Sequence, residues 1–389
     1  MNMLQSDRAV HAERKLAQPV SALDVRHLLF DMCAAHDLGA NGVFIVARQL
    51  AAEQRAAGET AKVVLLRGPE RKVPDDPSGT MQVVPFEGLK IRGHRLTIAK
   101  RVLDAITAPG SGQRIVHIHA GREPLLLPLM LRLRKLGIPY AMTVHGRYSH
   151  LYDLSGAATR RLPLLYLQHI ERHVLEGAQF IHAITTAEAD IIGRIAPRAR
   201  VVVLSNAAYS SRFDGEPPAL KRIPSSAFPV FGFLGRYEIE HKGIDLLLEG
   251  FAAYRRAGGK GRLELIGTGP ARDAIAALAR DLGVEEHVRV SGPLFGDDKA
   301  RALAEWDYFA APSRFDVAPT GALQAAFAGL PLIVSAETGL REHVRNFQAG
   351  FGLDRLDAEA IAQAMHAAEQ RTAPEWVELS AASRRMAMG

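Results

Sequence analysis

Two basic residues stand close together after an apolar run in the second half of the chain. Arg236 closes VFGFLG, and Lys242 follows across the loop YEIEH, just ahead of Gly243 and the helical stretch IDLLLEGFAAYRR. A guanidinium and an ammonium at the carboxyl end of a parallel strand suit a diphosphate, because charge-assisted hydrogen bonds contribute about 1.5–3 kcal/mol each. The same pair would stabilise a departing phosphate. The next apolar run ends in IGTGP, where Gly267 and Gly269 let backbone come close to a ligand. Further on, PSRFDVAPTGALQAAFAGLPLIVS holds a short apolar helix stopped by Gly329 and Pro331 and followed at once by the strand Leu332–Ser335. That is the grammar of a β-α-β unit, so the helix's amino end points at a strand-end crevice, where ligands bind. It carries about half a positive charge there. Asp316 lies just ahead of this helix and Gln324 in its middle.

These groups need a scaffold that brings strand ends together. From Arg26 onward, apolar runs alternate with helical stretches: RHLLF, a helix over Val43–Ala57, KVVLL, then RIVHIH, PYAMTV, QFIHAIT and RVVVLS. The rhythm predicts a mostly parallel sheet with helices on both faces. Between Asn206 and Pro229 the pattern lapses into a Pro- and Ser-rich linker, and then VFGFLG, RLELIG, HVRVSG, YFAAPS and LPLIVS restart it. The expected organisation is a mobile leader over 1–20, a doubly wound α/β unit over 21–205, the linker over 206–229 and a second such unit over 230–389. Two Rossmann-like units of this kind face each other across a cleft.

With 389 residues, 48% hydrophobic and 23% charged, the chain is globular and long enough for two cores. Its single cysteine, Cys33, leaves no partner for an internal disulfide and points to a reducing cytoplasm. The longest apolar run, PLLLPLMLRL, is cut by Pro128 and Arg132 and is too short to span a bilayer. A net charge of +6 suits anionic partners. With no zinc-finger spacing, aromatic RNA-binding signature or lysine-rich tail, nucleic acid is not expected, whereas a nucleotide diphosphate or a membrane surface is compatible.

The order of these motifs at successive strand ends, GRYEIEHKGIDLLLEGF, LELIGTGP, VRVSGPL and APSRFDVAPTGALQAAFAGLPLIVSAETGLREHV, resembles the sugar-nucleotide domain of retaining GT-B glycosyltransferases of the family 4 type. The resemblance covers Phe231 to about Val344. It extends more weakly to the glycine loop HDLGANG, to HIHAGREP and to TVHG. It implies that Arg236 and Lys242 hold the donor diphosphate with help from the amides of Thr320, Gly321 and Ala322. It implies that Gly39, Asn41 and Gly42 near the donor phosphates, that Gly269 lies in the donor site, that Leu294 contacts the base, and that His145 sits beside the donor sugar. Two glutamates are usual where this chain has Asp316, facing sugar hydroxyls, and Gln324, facing the ribose. Family members usually end in a helix that crosses back onto the first unit, whereas this sequence stops at Gly389 soon after PEWVELSAASRRM.

The implied activity is a hexosyltransferase that is retaining and metal-independent. It would take a nucleoside diphosphate sugar as donor, need no further cofactor, and act on a saccharide or lipid-linked acceptor in cell-surface polysaccharide or glycolipid synthesis. The basic stretches Lys90–Arg101 and Arg147–Arg161 suit an anionic acceptor and peripheral contact with the inner face of a membrane. No Asp-any-Asp triplet occurs. His117 and His119 share one strand face, but no third metal ligand follows from spacing. Glu70 comes too late after KVVLL for a dinucleotide site. Two alternatives stay open on sequence: a nucleotide-sugar epimerase or phosphorylase of the same fold, and a noncatalytic binding protein, which Gln324 would suit.

Overall fold

A computed structural model describes residues 22–31, 41–68, 76, 79–86, 90–92, 95–108, 110, 112–123, 125–148, 166–206, 228–317 and 319–388. The leader, Cys33, Gly39, Glu70 and most of the linker lie outside these residues, as does all of the Arg147–Arg161 stretch beyond Tyr148.

The first half supplies strands β1 (Leu23–Asp31), β2 (Thr60–Arg67), β3 (Met81–Pro85), a small antiparallel pair β4 (Lys90–Arg92) and β5 (Arg95–Thr97), then β6 (Gln113–His119), β7 (Tyr140–Thr143), β8 (Ile181–Ala183) and β9 (Val201–Val203). Its helices are α1 (Gly42–Ala56), α2 (Lys100–Thr107), α3 (Leu126–Lys135), α4 (Arg172–Glu176) and α5 (Thr186–Ile195). The second half supplies strands β10 (Val230–Arg236), β11 (Arg262–Thr268), β12 (Val288–Ser291), β13 (Tyr308–Ala311), β14 (Leu332–Val334) and β15 (Gly350–Gly352). Its helices are α6 (Ile239–Lys242), α7 (Ile244–Arg256), α8 (Arg272–Asp281), α9 (Gly296–Glu305), α10 (Thr320–Phe327), α11 (Arg341–Phe347), α12 (Ala358–Glu369) and α13 (Ala373–Met388).

Both sheets are parallel, in the orders β3-β2-β1-β6-β7-β8-β9 and β12-β11-β10-β13-β14-β15. Each reverses winding once, between β1 and β6 and between β10 and β13, and such a switch point opens a crevice beyond the strand ends. One edge strand of each sheet has no counterpart in the apolar runs. β3 ends in Pro85, which an edge strand tolerates, and β15 has glycine at two of its three positions, so neither carries a strand signature.

Apolar cores cover the sheet faces. Leu28, Val116, Ile118, Leu129 and Met142 belong to a cluster in the first half, and Phe231, Phe251, Tyr254, Leu265 and Tyr308 to one in the second, all nearly or fully buried. Each such side chain contributes roughly 1.5–3 kcal/mol on leaving water. The last helix, α13, packs on α10 and α11 within the second half. Arg384 Nε donates to Phe327 O at 2.7 Å and Ser383 Oγ to Leu330 O at 2.7 Å, so a cation sits at the carboxyl end of α10 while its amino end stays open. No helix among the described residues is long and apolar enough to cross a membrane.

Candidate functional site

The two switch points open onto one cleft of about 880 Å³. Its second-half wall is charged. β10 delivers Arg236, and the chain then makes one turn, α6, before Gly243 at φ 65° redirects it into α7. A Cβ at Gly243 would stand 1.9 Å from Pro312 O, so only glycine lets the loop after β10 press against the loop after β13. That contact joins Lys242 Nζ to the Asp316 carboxylate. Both side chains are mostly buried. Arg236 Nη1, half-buried, meets Glu238 Oε1 at 2.5 Å. Arg314 holds Asp245 with two hydrogen bonds of 2.8 and 2.7 Å and fixes the same loop from behind. His241, beside Lys242, also lines the cleft. Burial first, then the Lys242 charge, pushes its pKa down to about 4.

Two helix amino ends meet over this wall. α10 starts after Pro319, which gives no side-chain cap, so its first-turn amides have no side-chain acceptor. A Cβ at Gly321 would lie 2.3 Å from Leu234 O, so glycine lets α10 rest on β10. Across the cleft Asn41 caps α1, its Oδ1 accepting from Val43 N at 3.1 Å. A Cβ at Gly42 would come within 2.9 Å of Thr320 Oγ1, so the two helix starts are in near contact. Their dipoles favour an anion between them.

The first-half wall is built of imidazoles. β1 and β6 pair in a register that sets His27 beside His117, and His119 follows on the same face. His27 Nδ1 lies 3.0 Å from His119 Nε2, and His119 Nδ1 lies 3.0 Å from His145 Nε2. His27 Nε2 meets Gln54 Oε1 at 2.7 Å. A second branch runs from His117 Nε2 to Thr143 Oγ1 (2.8 Å), to His182 Nδ1 (3.1 Å), and from His182 Nε2 to Leu204 O (2.5 Å). Desolvation lowers every one of these pKa values, His27 to about 4 and His145 to about 3, so these rings are neutral at physiological pH. The expectation that His117 and His119 lack a third partner is corrected here. His27, His117 and His119 each offer a ligand atom within 4.8 Å of the others, and His27 was invisible to spacing because strand pairing, not sequence distance, brings it in.

Strained backbone marks this wall. His145 (φ 51°) and Arg122 (φ 60°) are two of three non-glycine residues at positive φ among the described residues, and both line the cleft. Such conformations cost about 1–3 kcal/mol and persist where surroundings enforce them. Buried carboxylates supply the enforcement. Glu188 accepts from Gly146 N at 2.5 Å and Ile184 N at 2.7 Å, and Glu171 accepts from Arg122 N at 2.7 Å. Burial raises the Glu188 pKa, against which its backbone donors work.

Of the residues singled out in the sequence, Asn41, Gly42, His145, Arg236, Lys242, Asp316, Thr320, Gly321 and Ala322 line this one cleft. Gly269, Leu294 and Gln324 are not among the lining residues. A Cβ at Gly269 would meet the Tyr237 backbone at 2.6 Å, and one at Gly267 would meet Gly235 O at 1.9 Å, so what approaches closely there is the chain itself. Leu294 packs on the core, and Gln324 Oε1, one turn into α10, accepts from Lys299 Nζ at 3.3 Å. Gly39 lies outside the described residues. The lining also includes His119 and Arg122, both within HIHAGREP but given no donor-site role there, and Glu238 and His241. Glu238 and His241 could have been found, since both lie in the loop between Arg236 and Lys242.

Comparison with known proteins follows the same division. Residues 228–370 match the family model for glycosyl transferases group 1, and residues 41–207 the glycosyl transferase 4-like domain. A 2-deoxystreptamine N-acetyl-D-glucosaminyltransferase of Streptomyces fradiae is 27% identical over 64% of this chain and 61% of its own length. A GDP-mannose-dependent alpha-(1-6)-phosphatidylinositol monomannoside mannosyltransferase of Mycobacterium tuberculosis is 29% identical over 43% of this chain and 46% of its own. The chain thus spans about half to three-fifths of these relatives. Among solved structures, sucrose-phosphate synthase of Thermosynechococcus elongatus superposes with a TM-score of 0.71 at 17% identity, covering 94% of both chains. Anabaena HepE in complex with UDP and glucose gives 0.70 at 15%, covering 93% of this chain and 94% of its own. At such identities the likeness shows the fold.

Proposed function

Because the chain belongs to the group 1, 4-like glycosyltransferases with the GT-B fold, we propose that it moves a hexose-type unit from a nucleoside diphosphate sugar to a saccharide or lipid-linked acceptor with retention at the anomeric carbon. The observation that carries this reading is the convergence of Arg236, Lys242 and the amino ends of α1 and α10 on one cleft. Its volume of about 880 Å³ is in the range of small-molecule sites. The diphosphate lies against the charged wall and the sugar points toward His145 and Asp316. Lys242 is held by Asp316 beforehand, so the incoming phosphate finds an ammonium already placed, and the carboxylate it displaces can accept from sugar hydroxyls.

As the glycosidic bond breaks, charge grows on the leaving phosphate oxygen. Arg236, Lys242 and the α10 amides stabilise it, and the same oxygen can take the acceptor's proton, so no strong protein base is needed. A donor dianion entering a wall of paired charges and helix dipoles needs no further cation in this scheme. The names of relatives that act on phosphatidylinositol mannosides or in lipopolysaccharide core synthesis favour a lipid-linked or surface-glycan acceptor, reached from the cytoplasmic face of a membrane.

The test is transfer by the double variant Arg236→Ala, Lys242→Ala with a panel of nucleoside diphosphate sugars, selected first by thermal stabilisation of the native chain. We expect a loss of kcat/KM of roughly 10³-fold or more, since each oxyanion donor is worth about 10²–10³. Undiminished transfer would sink the reading.

A further inference from the structure

We propose that Gln54, His27 and His119 form a hydrogen-bonded relay that sets the tautomer of His145, leaving its Nδ1 as a bare acceptor toward the cleft. The inference rests on three contacts, Gln54 Oε1 to His27 Nε2 (2.7 Å), His27 Nδ1 to His119 Nε2 (3.0 Å) and His119 Nδ1 to His145 Nε2 (3.0 Å). A neutral imidazole carries one N–H and one lone pair, so each contact dictates the next. The Gln54 carbonyl oxygen can only accept, which places the His27 proton on Nε2. His27 Nδ1 then accepts, which places the His119 proton on Nε2. His119 Nδ1 accepts in turn, and the His145 proton sits on Nε2. His145 Nδ1 is left with its lone pair, since the ring's one hydrogen bond among the described residues is made by Nε2.

The surroundings protect this order. His27 is fully buried and His119 nearly so, and no carboxylate is hydrogen-bonded to any of the three rings among the described residues. A charged ring would carry two donors and break the alternation, and burial disfavours that charge. The neighbouring branch obeys the same logic toward a different anchor. Leu204 O accepts from His182 Nε2, Thr143 donates to His182 Nδ1, and His117 donates to Thr143. It drains away from the cleft, so only the Gln54 branch reaches it. The 3.0 Å separations between the rings are those of hydrogen-bonded imidazoles, with the Nδ1 lone pairs of His27 and His119 engaged in the relay.

The consequence deepens the function proposed above and depends on it. A bare Nδ1 accepts from a hydroxyl and opposes an anionic oxygen, so the His145 face of the first-half wall receives the hydroxyl-bearing end of a ligand and favours a diphosphate lying toward Arg236 and Lys242. Gln54, His27 and His119 are positioning residues, with no reacting atom of their own. Gln54 is only half-buried, on α1. It can therefore be exchanged with least disturbance of the core.

The experiment is nitrogen-15 NMR of the full chain labelled at histidine, reading the protonated nitrogen of His145 in three variants. Gln54→Glu can only accept and should keep His145 protonated at Nε2. Gln54→Lys can only donate and should reverse every link, giving His145 protonated at Nδ1. Gln54→Met, which removes the anchor without adding charge, should give a mixture and decides the matter if the lysine variant does not fold. With a donor in hand, kcat/KM of Gln54→Lys should fall about tenfold below that of Gln54→Glu, the equivalent of one hydrogen bond. An identical His145 tautomer in all folded variants, or a stoichiometric transition metal on the rings by elemental analysis, would overturn the relay. The NMR reading needs no turnover, so it can fail or succeed independently of glycosyl transfer.

Discussion

The two walls of the cleft solve opposite problems with the same topology. Each is a doubly wound parallel sheet that opens at its single reversal of strand order. The second-half wall places full charges at the opening, with Lys242 held by Asp316 and Arg236 by Glu238. The first-half wall places neutral rings there, with His145 linked through His119 and His27 to Gln54. In the reaction proposed, charge handles the phosphate that leaves with electrons, and neutral donors and acceptors sort hydroxyls. The difference also explains where strain sits. Arg236 and Lys242 stand on ordinary backbone, whereas His145 and Arg122 of the first-half wall adopt positive φ under the grip of Glu188 and Glu171.

The contrast can be broken by mutation. Lys242→Ala should lower kcat/KM about 10²-fold, because a charge-assisted contact to the developing oxyanion is lost. His145→Ala should cost about tenfold, the loss of one neutral hydrogen bond. Steady-state kinetics of the pair checks the ranking, and a reversed order would mean that the walls have been assigned the wrong way round.

Acid probes the buried rings through stability. His27 and His145 have folded pKa values of about 4 and about 3, below the ordinary 6.5. Between those values the unfolded chain binds more protons than the folded one, so stability is intact above pH 6.5 and is lost as the pH falls below it. Each ring contributes a slope of up to about 1.4 kcal/mol per pH unit. The thermal midpoint should therefore drop between pH 7 and pH 5, and the drop should shrink in His27→Gln. An unchanged midpoint across that window would contradict a neutral, buried histidine wall.

The smallest effect is expected where the walls touch. Gly42→Ala puts a Cβ 2.9 Å from the Thr320 hydroxyl, a side chain that can rotate aside. Donor KM should rise a few-fold with the melting temperature nearly unchanged. Gly321→Ala instead meets the fixed carbonyl of Leu234 at 2.3 Å and should lower the melting temperature by several degrees, which scanning calorimetry would show.

Much of this was legible without coordinates. Apolar runs of strand length alternating with helical ones fix the α/β class, because the period of a buried parallel strand and of its crossover helix is written locally. That Arg236, Lys242 and the start of α10 share one cleft was legible for the same reason: each sits at a strand end, and strand ends of a parallel sheet share one rim. Position along one element was harder to judge. Gln324 shares α10 with Thr320, yet one turn carries it about 6 Å along the axis, and it answers Lys299 instead of the cleft.

What only the tertiary structure decided are the pairings between strands remote in sequence. His27 becomes the neighbour of His117 through the β1–β6 register, His145 reaches His119 from the turn after β7, and Asp316 meets Lys242 because Gly243 lets two loops close on each other. Residue types and local periods determine which elements form and which groups they carry. Register, winding and close backbone approach determine which of those groups share a proton or a charge, and that choice is made by packing across the sheet.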